Sequence, residues 1–124
     1  MTYLIDSNVL LRLAEPAHPM YAPSLTAITT LRRQQALMYI APQNLIEFWV
    51  VATRPSNVNG LGMTVAQALG ELTRIKSFFL VQPDTPTILV EWERLITQYQ
   101  IQGKQAHDTR LVAVMIVYQL TLVM

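Results

Sequence analysis

The sequence alternates short runs of aliphatic and β-branched residues with longer segments whose apolar residues recur every three or four positions. The first pattern is typical of β-strands and the second of amphipathic α-helices. Strand-like runs fall at residues 2–5, 37–41, 78–81 and 120–124, with helical segments between them. Because such alternation produces parallel strands joined by right-handed crossovers, it predicts an α/β fold with a mostly parallel sheet between two helical layers.

Local signals at the ends of the helical segments agree with this alternation. Pro42 occupies a position that is favoured in the first turn of a helix, and Arg54-Pro55 ends the apolar spacing that follows it. Thr64 and Gln67 have the spacing of a capping box and predict the start of a further helix.

Polar residues at three other junctions are predicted to begin or cap helices. Ser7 follows the first strand-like run, and Asp84 or Thr85 follows the third. His107 or Asp108 precedes the last helical segment. Side-chain oxygens at such positions accept hydrogen bonds from the free N–H groups of a helix start.

The length and composition predict one globular domain over residues 1–124. A chain of 124 residues has the size of a single domain and can bury a core without cross-links. Apolar residues make up 52% of it and charged residues only 14%, which leaves apolar surface for a partner.

Cysteine content and the N-terminus bear on the compartment. The chain has no cysteine, which excludes disulfides, thiolate metal sites and a cysteine nucleophile and suits a reducing cytoplasm. No basic segment precedes the first apolar run, so we expect no export. No apolar tract reaches the roughly 20 residues that span a bilayer, so we expect no membrane association.

The net charge of +1 excludes a domain that binds nucleic acid through overall positive charge. Any contact with RNA must therefore come from a local patch of basic residues. The candidates for such a patch are Arg12, Arg54, Lys104 and Arg110.

The eight acidic residues fall into two groups. Five have ordinary roles as partners of a nearby arginine, helix caps or solvated surface. These five are Glu15, Glu71, Asp84, Glu91 and Glu93. The other three differ, because Asp6 closes an apolar strand, Glu47 lies between apolar residues, and Asp108 lies at a helix start.

Asp6, Glu47 and Asp108 are candidate ligands of a hard cation. Ligands of parallel sheets bind beyond the carboxyl ends of the strands, where Asp6 is expected. Mg²⁺ prefers oxygen ligands and is commonly held by one or two carboxylates together with water and substrate phosphate. The structural alternative is that Asp6 and Asp108 only cap helices and that Glu47 is a partly exposed helix residue.

Three segments along the chain carry these acids in order. They are Leu4-Ile5-Asp6-Ser7-Asn8-Val9-Leu10-Leu11, then Pro42-Gln43-Asn44-Leu45-Ile46-Glu47-Phe48-Trp49 with Thr53-Arg54-Pro55 and Asn59-Gly60-Leu61-Gly62, and finally His107-Asp108-Thr109-Arg110-Leu111-Val112-Ala113. Together they resemble the three acidic motifs of the PIN-domain family, in particular its VapC-type toxins. The resemblance covers essentially the whole chain.

The resemblance implies a PIN-like three-layer α/β/α fold and a metal-dependent endoribonuclease, the toxin of a toxin–antitoxin pair. In that family Mg²⁺ or Mn²⁺ serves RNA hydrolysis, which implies a catalytic and metal-binding role for Asp6, Glu47 and Asp108. Ser7 or Asn8 would orient the site. Among the basic residues, Arg110 lies within the third motif and is assigned to substrate binding or orientation. A cognate antitoxin protein and a homodimer are the implied partners.

The resemblance departs from the family at the C-terminal end. The family's fourth acidic position lies in a Thr-x-Asn-x-x-Asp-like segment after the last core strand, and residues 121–124 match only that strand. Either the given sequence is a shortened form of the protein, or the chain is a degenerate member of the family. In the second case the alternative function is a catalytically weakened PIN-like module that binds an antitoxin or RNA. A nucleotide-binding α/β domain is disfavoured, because no glycine-rich loop with P-loop or dinucleotide spacing follows a strand.

Overall fold

The computed structural model describes all 124 residues and contains four strands, with two helices between each strand and the next. The strands are β1 (Thr2–Ile5), β2 (Leu37–Ile40), β3 (Leu80–Val81) and β4 (Thr121–Val123). The helices are α1 (Ser7–Leu13), α2 (Tyr21–Arg33), α3 (Pro42–Thr53), α4 (Val65–Phe78), α5 (Pro86–Tyr99) and α6 (Gln105–Tyr118), with a short 3₁₀ turn at Ser56–Val58. None of these helices is both long enough and apolar enough to cross a membrane.

The four strands form one parallel sheet in the order β3-β2-β1-β4. Leu4 of β1 lies opposite Tyr39 of β2 on one side and Leu122 of β4 on the other. The predicted parallel sheet is thus confirmed. The strand predicted at residues 78–81 is shorter, because α4 continues through Phe78.

Successive residues of each strand face opposite sides of the sheet and build two cores. Ile5 and Ile40 pack into a cluster with buried residues of α1 to α4, among them Phe48. Leu4 packs into a second cluster with buried residues of α5 and α6, among them Ile88. The sheet therefore lies between two helical layers, which confirms the three-layer α/β/α class.

The capping box at the start of α4 forms as predicted. The Gln67 backbone N–H donates to Thr64 Oγ1 at 3.1 Å, and the Thr64 N–H donates to Gln67 Oε1 at 2.9 Å. The acid–arginine pairs on exposed helix faces also form. The Arg94 guanidinium beside Glu91 holds the pKa of that carboxyl below its usual value through hydrogen bonds at 3.1 Å.

Two of the predicted helix starts are wrong in detail, and the start of α5 agrees with one of the two residues predicted for it. Asp6 rather than Ser7 caps α1, because its carboxylate Oδ2 accepts from the Asn8 N–H at 3.2 Å. Thr85 holds the N-cap position of α5, although its side chain makes no capping bond, and Asp84 precedes that position. Helix α6 begins at Gln105 after a glycine turn, which places Asp108 inside its first turn.

Candidate functional site

The three motif segments meet at one open cleft of about 840 Å³, a size within the range of ligand sites. It lies beyond the end of β1, between the start of α1, the exposed side of α3 and the first turns of α6. All six site residues expected from the sequence line it: Asp6, Ser7, Asn8, Glu47, Asp108 and Arg110. Of the other basic candidates, Arg54 lines the cleft, whereas Arg12 and Lys104 do not.

Asp6 is held at the end of β1 by one hydrogen bond of its main chain and one of its side chain. Its own N–H donates to the Val123 carbonyl at 3.0 Å, which ties it to β4. Its Oδ2 accepts the Asn8 N–H that fixes the carboxylate at the start of α1. Asn8 therefore orients Asp6 through its main chain, while its own side chain is exposed at the cleft.

Glu47 is half-buried on α3 and is held from α1. The Ser7 hydroxyl, which is 7% exposed, donates to Glu47 Oε1 at 2.8 Å. Behind Ser7 lies Asn44, whose Nδ2 donates to Ser7 Oγ at 3.2 Å. Ser7 thus orients the second acidic residue of the site, and Asn44 is a member of the arrangement that the sequence did not single out.

Asp108 is exposed on the first turn of α6. Its carboxylate makes neither a hydrogen bond nor a salt bridge, in contrast to those of Asp6 and Glu47, which accept one hydrogen bond each. The positive end of the helix dipole favours a negative charge there. Asp108 is thus the acidic residue of the cleft whose carboxylate has no partner within the protein.

Arg110 is anchored within the protein rather than free in the cleft. Its Nη2 lies 3.0 Å from Asp84 Oδ1, and its Nη1 donates to Gln43 Oε1 at 3.3 Å. The Gln43 amide in turn donates to the His107 carbonyl at 2.8 Å. These contacts connect α3, α6 and the segment before α5.

Asp84 also lines the cleft, although its sequence position predicted only a helix cap. Its pairing with Arg110 joins parts of the chain that are distant in sequence, which no local pattern predicts. The position of Asp84 in the sequence nevertheless indicates that it lies near Asp6. Asp84 follows β3 closely, as Asp6 follows β1, and the carboxyl ends of parallel strands share one edge of the sheet.

Arg54 lines the cleft at the end of α3 and forms no salt bridge. Its backbone is fixed by the following loop, in which the Gly62 N–H donates to the Arg54 carbonyl at 2.9 Å. A Cβ atom on Gly60 would lie 1.9 Å from that same carbonyl oxygen, so only glycine permits this approach. The glycine-containing loop therefore packs against the main chain of the residue that offers a free guanidinium to the cleft.

Comparisons with known proteins identify similar structures but no similar sequences. No protein-family model and no curated protein matches the chain. The structure is similar to a chain of the VapBC2 complex of Rickettsia felis, solved with a DNA fragment from its promoter, with a TM-score of 0.72 over 100% of this chain and 86% of that one at 16% identity. The chain has the PIN-like fold of VapC toxins. It is also similar to Mycobacterium tuberculosis VapC20, a sarcin-ricin loop cleaving toxin, with a TM-score of 0.63 over 97% of this chain and 85% of that one at 13% identity.

Within this PIN-like fold, the donor chemistry of the cleft fits Mg²⁺ or Mn²⁺. Asp6, Glu47 and Asp108 supply carboxylate oxygens, which hard cations prefer, and none of the three is neutralised by an arginine or lysine. The side chains do not form a compact group of three or more acidic or histidine ligands around one point. The arrangement fits a cation that takes one or two carboxylates and fills its other positions with water or phosphate oxygens.

Proposed function

We propose that the protein is a metal-dependent endoribonuclease that hydrolyses RNA phosphodiester bonds as the toxin of a toxin–antitoxin pair. One observation carries the proposal: three carboxylates without basic partners surround one open cleft at the edge of a PIN-like sheet. The similar fold of VapC20, a toxin that cleaves the sarcin-ricin loop, supports RNA as the substrate class.

In this proposal Asp6, Glu47 and Asp108 are the metal-site residues, and one or two of their carboxylates bind Mg²⁺ or Mn²⁺ directly. The bound cation supplies an activated water and neutralises charge on the phosphoryl group. The Asn8 N–H fixes the direction of the Asp6 carboxylate, and Ser7 fixes that of Glu47. Asp108 is exposed to solvent and its carboxylate has no partner within the protein, so it is available to the cation or to a water bound to it.

The proposal is tested by cleavage of a labelled RNA with and without metal. We expect cleavage in Mn²⁺ or Mg²⁺, none in EDTA, and full recovery when excess Mn²⁺ is added back. Cleavage that continues in EDTA would refute metal dependence. Absence of cleavage in both metals, for a protein that is folded and binds RNA, would refute the nuclease.

A PIN-like module that binds RNA or an antitoxin without turnover is the second candidate. It is favoured by the absence of a compact three-acid ligand group among the side chains. The same assay separates the two candidates, because the module would retain labelled RNA in Mn²⁺ and release no shorter product.

Arg54 is proposed as the residue that contacts the RNA backbone. It is the cleft arginine without a carboxylate partner, whereas Arg110 is engaged by Asp84 and Gln43. For Arg54→Gln we expect weaker RNA binding and a plot of log K against log salt that is shallower by about 0.7, the value for one phosphate contact on a single strand. Fluorescence anisotropy in EDTA measures binding without cleavage.

Arg33→Gln is the matched control for Arg54→Gln. Arg33 is exposed at the end of α2, outside the cleft, and also makes no salt bridge. Its loss changes the net charge by the same amount but is expected to leave the salt dependence close to that of the unmodified protein. Equal effects of the two substitutions would show that only overall charge matters and would exclude the assigned contact.

We also propose an antitoxin protein and a second copy of the chain as partners. Ile46 and Val50 line the rim of the cleft on α3 and are 64% and 49% exposed, and adjacent exposed apolar residues favour association. A basic side chain of an antitoxin would meet the unpaired carboxylates beside them. The similar chain from Rickettsia felis belongs to a VapBC2 complex, which supports the antitoxin.

A further inference from the structure

Asn44 is a fully buried amide on α3 that does not line the cleft. We propose that Asn44 is a positioning residue that fixes the carboxylate of Glu47 by acting through Ser7. The role in catalysis rests on the proposed function. The hydrogen-bonded chain itself does not rest on the proposed function, because all its members are groups of the protein.

The direction of every hydrogen bond in this chain follows from its first member. The Ala41 backbone N–H can only donate, so the atom of Asn44 that it meets at 2.8 Å is the acceptor Oδ1. The other end of the amide is then Nδ2, which can only donate, and it meets Ser7 Oγ at 3.2 Å. Ser7 is left with its single proton for Glu47 Oε1.

The consequence for Glu47 is a carboxylate with one oxygen held and one available. Oε1 accepts the hydrogen bond from the Ser7 hydroxyl, and Oε2 makes no hydrogen bond within the protein. Ala41 and Asn44 are both fully buried and Ser7 nearly so, so water does not compete for the bonds from Ala41 to Asn44 and from Asn44 to Ser7. A glutamate side chain otherwise samples many rotamers, and this chain selects one before substrate or cation arrives.

If Asn44 served only to stabilise the start of α3, it would need only one of its two hydrogen bonds. The bond from Ala41 to Oδ1 satisfies a free N–H at the start of α3, and an oxygen at this position is sufficient for it. The bond from Nδ2 to Ser7 adds nothing to the helix start. Asn44→Asp therefore separates the two roles, because it keeps the acceptor for Ala41 and replaces the donor toward Ser7 by a second acceptor.

The test is a double-mutant cycle on Mn²⁺ affinity, measured by electron paramagnetic resonance of free Mn²⁺ with full-length protein. We expect Ser7→Ala and Asn44→Asp each to raise the Kd for Mn²⁺ about tenfold, the lower range for residues that orient a metal ligand. If Asn44 acts through Ser7, the double variant has the Kd of Ser7→Ala alone. Ser24→Ala removes another buried serine, on α2, and is expected to leave the Kd unchanged.

Thermal unfolding of each variant establishes that it is folded, and Asn44→Ala, which also removes the donor toward Ser7, replaces Asn44→Asp in the cycle if the buried aspartate does not fold. An unchanged Kd in Ser7→Ala, or fully additive changes in the double variant, would overturn the proposal.

A second readout works without metal and separates this proposal from the proposed function. The side-chain carboxyl ¹³C resonance of Glu47, assigned with Glu47→Gln, is expected to shift in Ser7→Ala and in Asn44→Asp but not in Ser24→Ala. If the unmodified protein binds no Mn²⁺ and this resonance still shifts, metal-dependent hydrolysis fails while the positioning role stands. If the resonance does not move in either variant, the positioning role fails, whatever the metal does.

Discussion

Asp6→Asn is expected to lower the rate of RNA cleavage by about 100-fold or more, since loss of a residue that merely orients a ligand already costs about 10- to 100-fold. The change removes the charge that attracts a cation at the end of β1 while keeping a side-chain oxygen. Asparagine caps helices as well as aspartate does, so the bond from the Asn8 N–H to position 6 is preserved. The loss should therefore appear in activity and not in stability.

The measurement is the single-turnover rate of RNA cleavage in saturating Mn²⁺, together with the melting temperature of each variant. Glu93→Gln is the matched control, because Glu93 is exposed on α5 and is not part of the cleft. It removes the same charge and is expected to cleave at the unmodified rate. A rate for Asp6→Asn within a few-fold of the control would contradict the assignment of Asp6.

Phe48→Ala is expected to reduce the free energy of unfolding by about 3–5 kcal/mol, the usual cost of truncating a buried phenylalanine. Phe48 is fully buried on α3 and packs in the cluster that joins α1 to α4 to the sheet. The cost combines the lost transfer of apolar surface from water with the cavity that remains. Because Glu47 is the adjacent residue, loosening of α3 would also disturb the cleft.

Urea unfolding followed by circular dichroism measures this loss, and Phe78→Ala is the matched control. Phe78 ends α4 and is 49% exposed, and its ring carries the Arg32 guanidinium at 4.8 Å from its centroid. Phe78→Ala removes that contact and a partly buried ring, and it is expected to reduce the free energy of unfolding by less than half as much as Phe48→Ala. Equal losses in the two variants would show that Phe48 does not hold the core together.

The sequence predicted those parts of the fold that depend on neighbours along the chain. The apolar run of β1, the proline at the start of α3 and the Thr64–Gln67 box all act over a few residues, and the structure has each of them. The predicted cap was wrong where two neighbouring residues could each cap the same helix. Asp6 and Ser7 both have capping side chains, and only the position of Glu47 explains why the serine turns away from the helix start.

The sequence also predicted three of the four acidic residues that line the cleft, all except Asp84, because motif order and the rule that ligands bind beyond strand ends both apply before folding is known. It did not predict the pairing of Arg110 with Asp84 or the role of Asn44 behind Ser7. Those contacts depend on distances between α1, α3, α6 and the segment before α5. Hydrophobic spacing determines which face of an element is buried, but side-chain partners across elements are set only when the buried faces have packed to fixed separations.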